Sequence, residues 1–223
     1  VIFGAILLHS GGALLFSNLA TALTGNVVGG PAKVAVVASS LMGTITGSGA
    51  ANVATTGVAT IPMMKRAGYR PEFAGAVEAV ASTGGQLMPP VMGAAAFVMS
   101  AFSGIPYHTI IYYALFPAVL YFISVFVTVD LEARRLKLPG LAADSTASET
   151  LRDYGHMLIP LALLIYMLVA GYTPRLAGGI GVVSALVLAQ LRPKTRLGIP
   201  GILAALEDGC KGMLIVMIST AAA

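Results

Sequence analysis

Charge is scarce in this chain. Asp, Glu, Lys and Arg make up 10% of its residues and hydrophobic residues 57%, whereas a soluble domain carries about 25% charged residues. With a mean hydropathy of +0.88, that deficit excludes a water-surrounded globule and points to a membrane protein. Tryptophan is absent, and the single cysteine, Cys210, excludes an internal disulfide. His9, His108 and His156 stand apart, so no helical zinc motif is present, and each reads as a packing or interface residue. No pair of acids and no nucleophile with a nearby base is found, which argues against an intramembrane enzyme. The net charge of +4 comes from basic residues where apolar segments end. No aromatic residues interleave with them, so no nucleic-acid partner is expected and the lipid bilayer is.

The apolar segments divide the chain. Residues 1–28 hold a first span, with Gly4, Gly11, Gly12 and Ala13 as small residues that let helices approach closely. Gly29-Gly30-Pro31 ends one element and opens the next. A charge-free run then extends from Val34 to Met64, well beyond the ~20 residues of a straight crossing. Its middle is polar and glycine-rich, Thr44-Ile-Thr-Gly-Ser-Gly-Ala-Ala-Asn-Val-Ala-Thr-Thr-Gly57. Backbone freed by glycine cannot face lipid, because each unpaired N–H or C=O costs several kcal/mol there. The pattern therefore predicts a re-entrant hairpin over 29–70, with arms near 32–45 and 53–65 and its tip near the midplane. Residues 71–136 hold a crossing broken at Ser82-Thr-Gly-Gly-Gln-Leu-Met-Pro-Pro90 and a following span from about Tyr107 to Val129. A soluble linker is expected over 137–152, and further spans over 153–223, near 157–170 and 176–191. Residues 199–211 read as a surface amphipathic helix, with a last span beginning near Met213.

Charge tests this order. With a hairpin that returns to its own side, every Lys and Arg except Arg175 falls on one face. Basic loops stay cytoplasmic, so the hairpin opens to the cytoplasm. An apolar segment lies at each end of the chain, and a piece of a longer multi-pass protein is expected.

The two polar breaks carry the candidate chemistry. At the hairpin tip, Ser48, Asn52 and Thr55 and the carbonyls around Gly47 and Gly49 offer hard neutral oxygens, which suit Na⁺ in broken-helix transporters. The start of the second arm, near Asn52, aims a positive dipole end inward, favouring a carboxylate. Asn52, Thr55 and Gln86 are the substrate candidates. The alternative is a packing seam of small residues whose hydroxyls bond their own helix. At the second break, Thr83 and Gly84 are the leading ion ligands, with Ser82 and Gln86 behind them; the alternative is a proline kink. Glu78 is an acid inside the apolar stretch 74–81. Such a group balances a cation, carries a proton, or holds two helices together. Rival functions are an ion or solute channel, which needs a continuous polar path, and a non-catalytic structural membrane subunit.

Gly29-Gly-Pro-Ala-Lys-Val-Ala-Val36, Gly47-Ser-Gly-Ala-Ala-Asn-Val-Ala-Thr-Thr-Gly57, Ile61-Pro-Met-Met-Lys-Arg-Ala-Gly-Tyr69 and Ala76-Val-Glu-Ala-Val-Ala-Ser-Thr-Gly-Gly-Gln-Leu-Met-Pro-Pro-Val-Met-Gly93 resemble the large membrane subunit of tripartite ATP-independent periplasmic (TRAP) transporters. The wording is nearest to fused permeases served by solute-binding proteins of the TAXI type. The resemblance implies an all-α polytopic protein of the bacterial inner membrane with an ion-transporter-like inverted-repeat fold. Each repeat would hold one hairpin and one broken helix, and this chain would hold the first repeat plus the start of the second. It also implies elevator-type import of small organic acids, driven by Na⁺ as the coupling ion with no other cofactor. The implied partners are a periplasmic solute-binding protein, a small membrane part and the second repeat. Carried over by motif, the ion-site residues are Gly47, Ser48 and Asn52 at the tip and Ser82, Thr83 and Gly84 at the break.

Overall fold

The computed structural model describes residues 1–138, 140 and 147–221, with no side-chain description at 215, 216 and 218–221. Every regular element among the described residues is a helix. Part of the expected linker, Pro139 and 141–146, lies outside the described residues.

The first span is two helices, α1 (Ile2–Leu7) and α2 (Ala13–Thr24), joined by a wider turn at Leu8–Gly12 where Gly11 takes φ 95. The hairpin follows as α3 (Gly30–Thr46) and α4 (Gly49–Arg66). Only Gly47 and Ser48 separate the arms. Gly47 is left-handed at φ 62, and Ser48 is extended with its Oγ accepting from the Ala51 N–H at 3.4 Å. This is a glycine stop followed by a serine N-cap. The arms run antiparallel, because Ser39 Oγ lies 3.2 Å from Thr56 Oγ1 and Asn52 Nδ2 donates to the Ser39 carbonyl at 2.8 Å. At 17 and 18 residues they extend for about 26 Å each, longer than the expected arms.

The chain leaves the hairpin beside the place where it entered. The Tyr69 hydroxyl donates to the Gly29 carbonyl at 3.3 Å. Burial, with the charges of Glu132 and Asp130 nearby, pushes that hydroxyl up to about 12, so it stays a donor. α5 (Pro71–Gly84) ends in turns, and α6 (Ala94–Ser103) resumes the crossing. α7 (Tyr107–Arg135) returns to the hairpin base, where Lys33 Nζ donates to Asp130 Oδ1 at 2.5 Å and Arg134 holds Asp130 Oδ2 at 2.6 Å.

α8 (Ala147–Tyr154), α9 (Leu158–Val169) and α10 (Pro174–Ala189) follow. Helix thus begins inside the stretch read as linker. Among the described residues, three helical runs are long and apolar enough to cross a membrane: Ile2–Thr24, Tyr107–Arg135 and Ala147–Val169. α11 (Ile199–Ala221) is continuous, which corrects the expected break between a surface helix and a final span. Gly209 explains why it packs inward: a Cβ there would sit 3.2 Å from the Ile2 Cα, so α11 lies directly against α1.

Among the described residues two large apolar cores result, with a small third where Ala20 of α2 meets Val34 and Ala38 of α3. One joins α3, α5 and α7 through Val36, Met64, Tyr69, Val77, Phe122 and Val129. The other joins α1, α2, α9 and α10 through Ile6, Leu15, Leu164 and Ala185 and reaches the far end of α3 at Met42 and Ile45. The hairpin tip lies where the two meet.

Candidate functional site

The hairpin tip and the break in the second crossing form one site. Their backbones touch: a Cβ on Gly43 would lie 2.2 Å from the Gly85 Cα, and one on Gly47 would lie 2.3 Å from the Met92 carbonyl oxygen. The Val91 N–H donates across the seam to the Thr44 carbonyl at 3.3 Å, and the Gly93 N–H closes the break by donating to the Gln86 carbonyl at 2.7 Å. The Tyr107 hydroxyl lies 2.6 Å from the Val91 carbonyl and 3.0 Å from that of Pro90, fixing the far side of the break.

Freed oxygens gather at this seam. After α5 the Gly85 N–H turns to the Ala81 carbonyl and the Gln86 N–H to Thr83, passing over Ser82. Among the described residues the Ser82 carbonyl receives no main-chain donor, nor do those of Thr46 and Gly47 beyond the end of α3. Asn52 is fully buried, and its Oδ1 has no partner. A Cβ on Gly85 would stand 2.7 Å from the Gly43 Cα, 3.1 Å from the Ser82 carbonyl oxygen and 3.3 Å from Asn52 Nδ2, so the carbonyl and the amide both border this close main-chain approach. A buried acceptor left unpaired costs about 1–3 kcal/mol.

Beside the seam sits Glu78, fully buried. Its Oε1 accepts from Ser39 at 3.0 Å, from Ser82 at 3.0 Å and from the Thr56 hydroxyl, and its Oε2 accepts from Thr60 at 2.5 Å. No basic side chain among the described residues forms an ion pair with it. The carboxyl ties both hairpin arms to α5. These bonds are those of an acid that joins helices.

The sequence candidates separate accordingly. Gly47, Asn52, Ser82 and Gln86 come together at the seam, and a Cβ on Gly49 would lie 2.7 Å from Gln86 Nε2, whereas Ser48 caps α4 and lines a separate cleft. Ser82 turns its hydroxyl to Glu78 and leaves its carbonyl to the seam. The Thr83 side chain is exposed and donates to the Ala79 carbonyl at 2.7 Å, while its Cα lies by Gly49. Gly84 faces the opposite way, where a Cβ would meet the Tyr121 ring at 2.2 Å. Thr55 donates to the Ala51 carbonyl at 2.8 Å and lines a separate cleft. Sequence reasoning missed Ser39, Thr56, Thr60 and Gly85. The signal was there for α4: Asn52, Thr56 and Thr60 recur every four residues and share one face.

A sequence model of the family described as "Tripartite ATP-independent periplasmic transporter, DctM component" matches residues 1–223. Uncharacterized protein YgiK of Salmonella typhimurium is 28% identical over 196 residues, covering 86% of this chain and 44% of that protein. Uncharacterized protein y4mL of Sinorhizobium fredii is 28% identical over 171 residues, covering 73% of this chain and 39% of that protein. The C4-dicarboxylate TRAP transporter large permease protein DctM of Rhodobacter capsulatus is 32% identical over 90 residues, covering 40% of this chain and 20% of that protein. The chain spans less than half the length of these curated relatives.

Proposed function

The chain belongs to the DctM family of tripartite ATP-independent periplasmic transporters, and from that premise we propose that it is the ion-binding half of a permease importing small organic acids on a Na⁺ gradient. The observation that carries this reading is the fully buried Asn52 Oδ1, left without a partner beside the seam of hairpin tip and break. Asn52 Oδ1 and the Ser82 carbonyl would hold Na⁺, with the Thr46 and Gly47 carbonyls as further oxygens from the tip. Glu78 supports this site from behind through the Ser82 and Thr56 hydroxyls. The substrate class draws support from the C4-dicarboxylate relative. A periplasmic binding protein and a small membrane subunit are the partners the family implies, and the bacterial inner membrane is the location.

The test uses the full-length permease with its binding protein, reconstituted in liposomes. Asn52→Ala removes the buried amide oxygen and is expected to raise the Na⁺ concentration for half-maximal uptake about tenfold or more, the loss of roughly one strong oxygen ligand. Folded Asn52→Ala protein with unaltered Na⁺ dependence would reject the assignment.

A further inference from the structure

α10 has two faces of different character. Ala177, Gly181, Ala185 and Ala189 recur every four residues and are all buried. A Cβ on Gly181 would lie 3.1 Å from the Phe3 ring and 3.3 Å from Leu164 Cδ1, so this side packs on α1 and α9. Small residues at that spacing are where membrane helices approach closely, and here the close-packing side is already occupied. The other side is a groove of about 380 Å³ lined by Gly179, Ile180, Val183, Ser184, Val187 and Leu188. Ile180, Val183 and Val187 are exposed, and a Cβ on Gly179 would meet nothing within 4 Å. The Ser184 hydroxyl donates to the Gly181 carbonyl at 2.8 Å, so its proton is spent on its own helix.

One end of the groove carries charge. Arg175 precedes Gly179 by one turn on the same face and is exposed. Among the described residues no carboxylate pairs with it. Helical side chains lean toward the N-terminus, which carries the guanidinium away from the groove and toward headgroup level. From Gly179 to Leu188 the helix rises about 14 Å, close to the ~15 Å depth of one leaflet of hydrocarbon.

We propose that this face of α10 is a binding site for an anionic phospholipid, its phosphate on Arg175 and one acyl chain along Gly179, Val183 and Val187. A cation above an apolar channel one leaflet deep matches that molecule in both charge and length. A second helix fits less well, because Gly179 and Ser184 do not repeat at the four-residue spacing of the buried face.

The test uses the full-length permease with its cysteines replaced and a single bimane-labelled cysteine introduced by Val187→Cys in the groove or, as reference, by Phe116→Cys on α7, where the side chain is also exposed. The protein is reconstituted in mixtures of phosphatidylglycerol and phosphatidylcholine with one or the other brominated, and quenching reads which lipid touches the label. At position 187 phosphatidylglycerol is expected to be favoured about fivefold, the weight of one basic residue at the membrane surface, and at position 116 neither lipid is. Arg175→Gln is expected to abolish the preference and Arg175→Lys to keep it. Equal quenching by the two lipids at position 187, or a preference that survives Arg175→Gln, overturns the proposal. So does the absence of quenching there by either lipid, which would mean that another protein segment covers the groove.

Discussion

Replacing Glu78 by Ala and by Gln separates the shape of the buried carboxyl from its presence. In Glu78→Ala, Thr56 and Thr60 keep bonds to main-chain carbonyls one turn back at 2.8 and 3.0 Å, and Ser39 keeps Thr56 at 3.2 Å. Only the Ser82 hydroxyl loses its sole partner, at a cost of about 1–3 kcal/mol. The deleted methylene packs against α4, since a Cβ on Gly57 would lie 3.2 Å from Glu78 Cγ. Its loss adds about 0.8 kcal/mol. The sum is about 2–4 kcal/mol, or a fall in Tm on the order of 5–10 °C. Glu78→Gln keeps the shape. Its carboxamide oxygen still accepts from Ser39, Thr56 and Ser82, and its NH₂ donates to Thr60, whose own proton turns to the Thr56 carbonyl. That variant should stay within about 1 kcal/mol of wild type. With no tryptophan in the chain, heat stability is best followed on a fluorescent-protein fusion by size exclusion after a temperature ramp. Glu78→Ala surviving to the same temperature as Glu78→Gln would refute the claim that this carboxyl fastens the hairpin to α5.

At the hairpin base the ion pair should be asymmetric. Asp130→Ala strands Lys33, whose side chain is 6% exposed, and is expected to lower the melting temperature more than Lys33→Met, which leaves Asp130 with Arg134; thermal melts of the two variants rank them. Thiol labelling checks the hairpin itself. With Cys210 replaced, cysteines at Val28 and Lys65 should react from the same side of the membrane and one at Phe102 from the other. Gly84→Ala should lower folded yield sharply, because its methyl group would meet the Tyr121 ring at 2.2 Å, and Tyr121→Ala in the same protein should recover part of it.

The hairpin was legible because glycine and polarity in the middle of an apolar run have few homes in lipid, and Gly47 and Ser48 do serve as stop and cap. The break at Ser82 to Pro90 was legible for the same reason. What the one-dimensional pattern could not convey was direction. Ser82 and Thr83 are neighbours in sequence, yet one hydroxyl points to Glu78 and the other to its own helix. Gly84 and Gly85 read alike, but one packs on α7 and the other on α3. The Glu78 cage escaped because Ser39 reaches it from another helix, a contact across 39 residues. The start of the last span was misplaced because Glu207, Asp208 and Lys211 do form a wetted face, and nothing in the local pattern announces that the helix runs on unbroken through Met213.

The approach of Gly43 to Gly85 carries a genetic consequence. Two stretches of main chain cross there with only hydrogen between them. Any glycine codon becomes an alanine codon by one base change, so the mildest coding error available wedges a methyl group into the crossing. In a library of all single substitutions, these two positions should stand out as blank columns, while neighbours such as Ser40 and Leu87 tolerate many replacements.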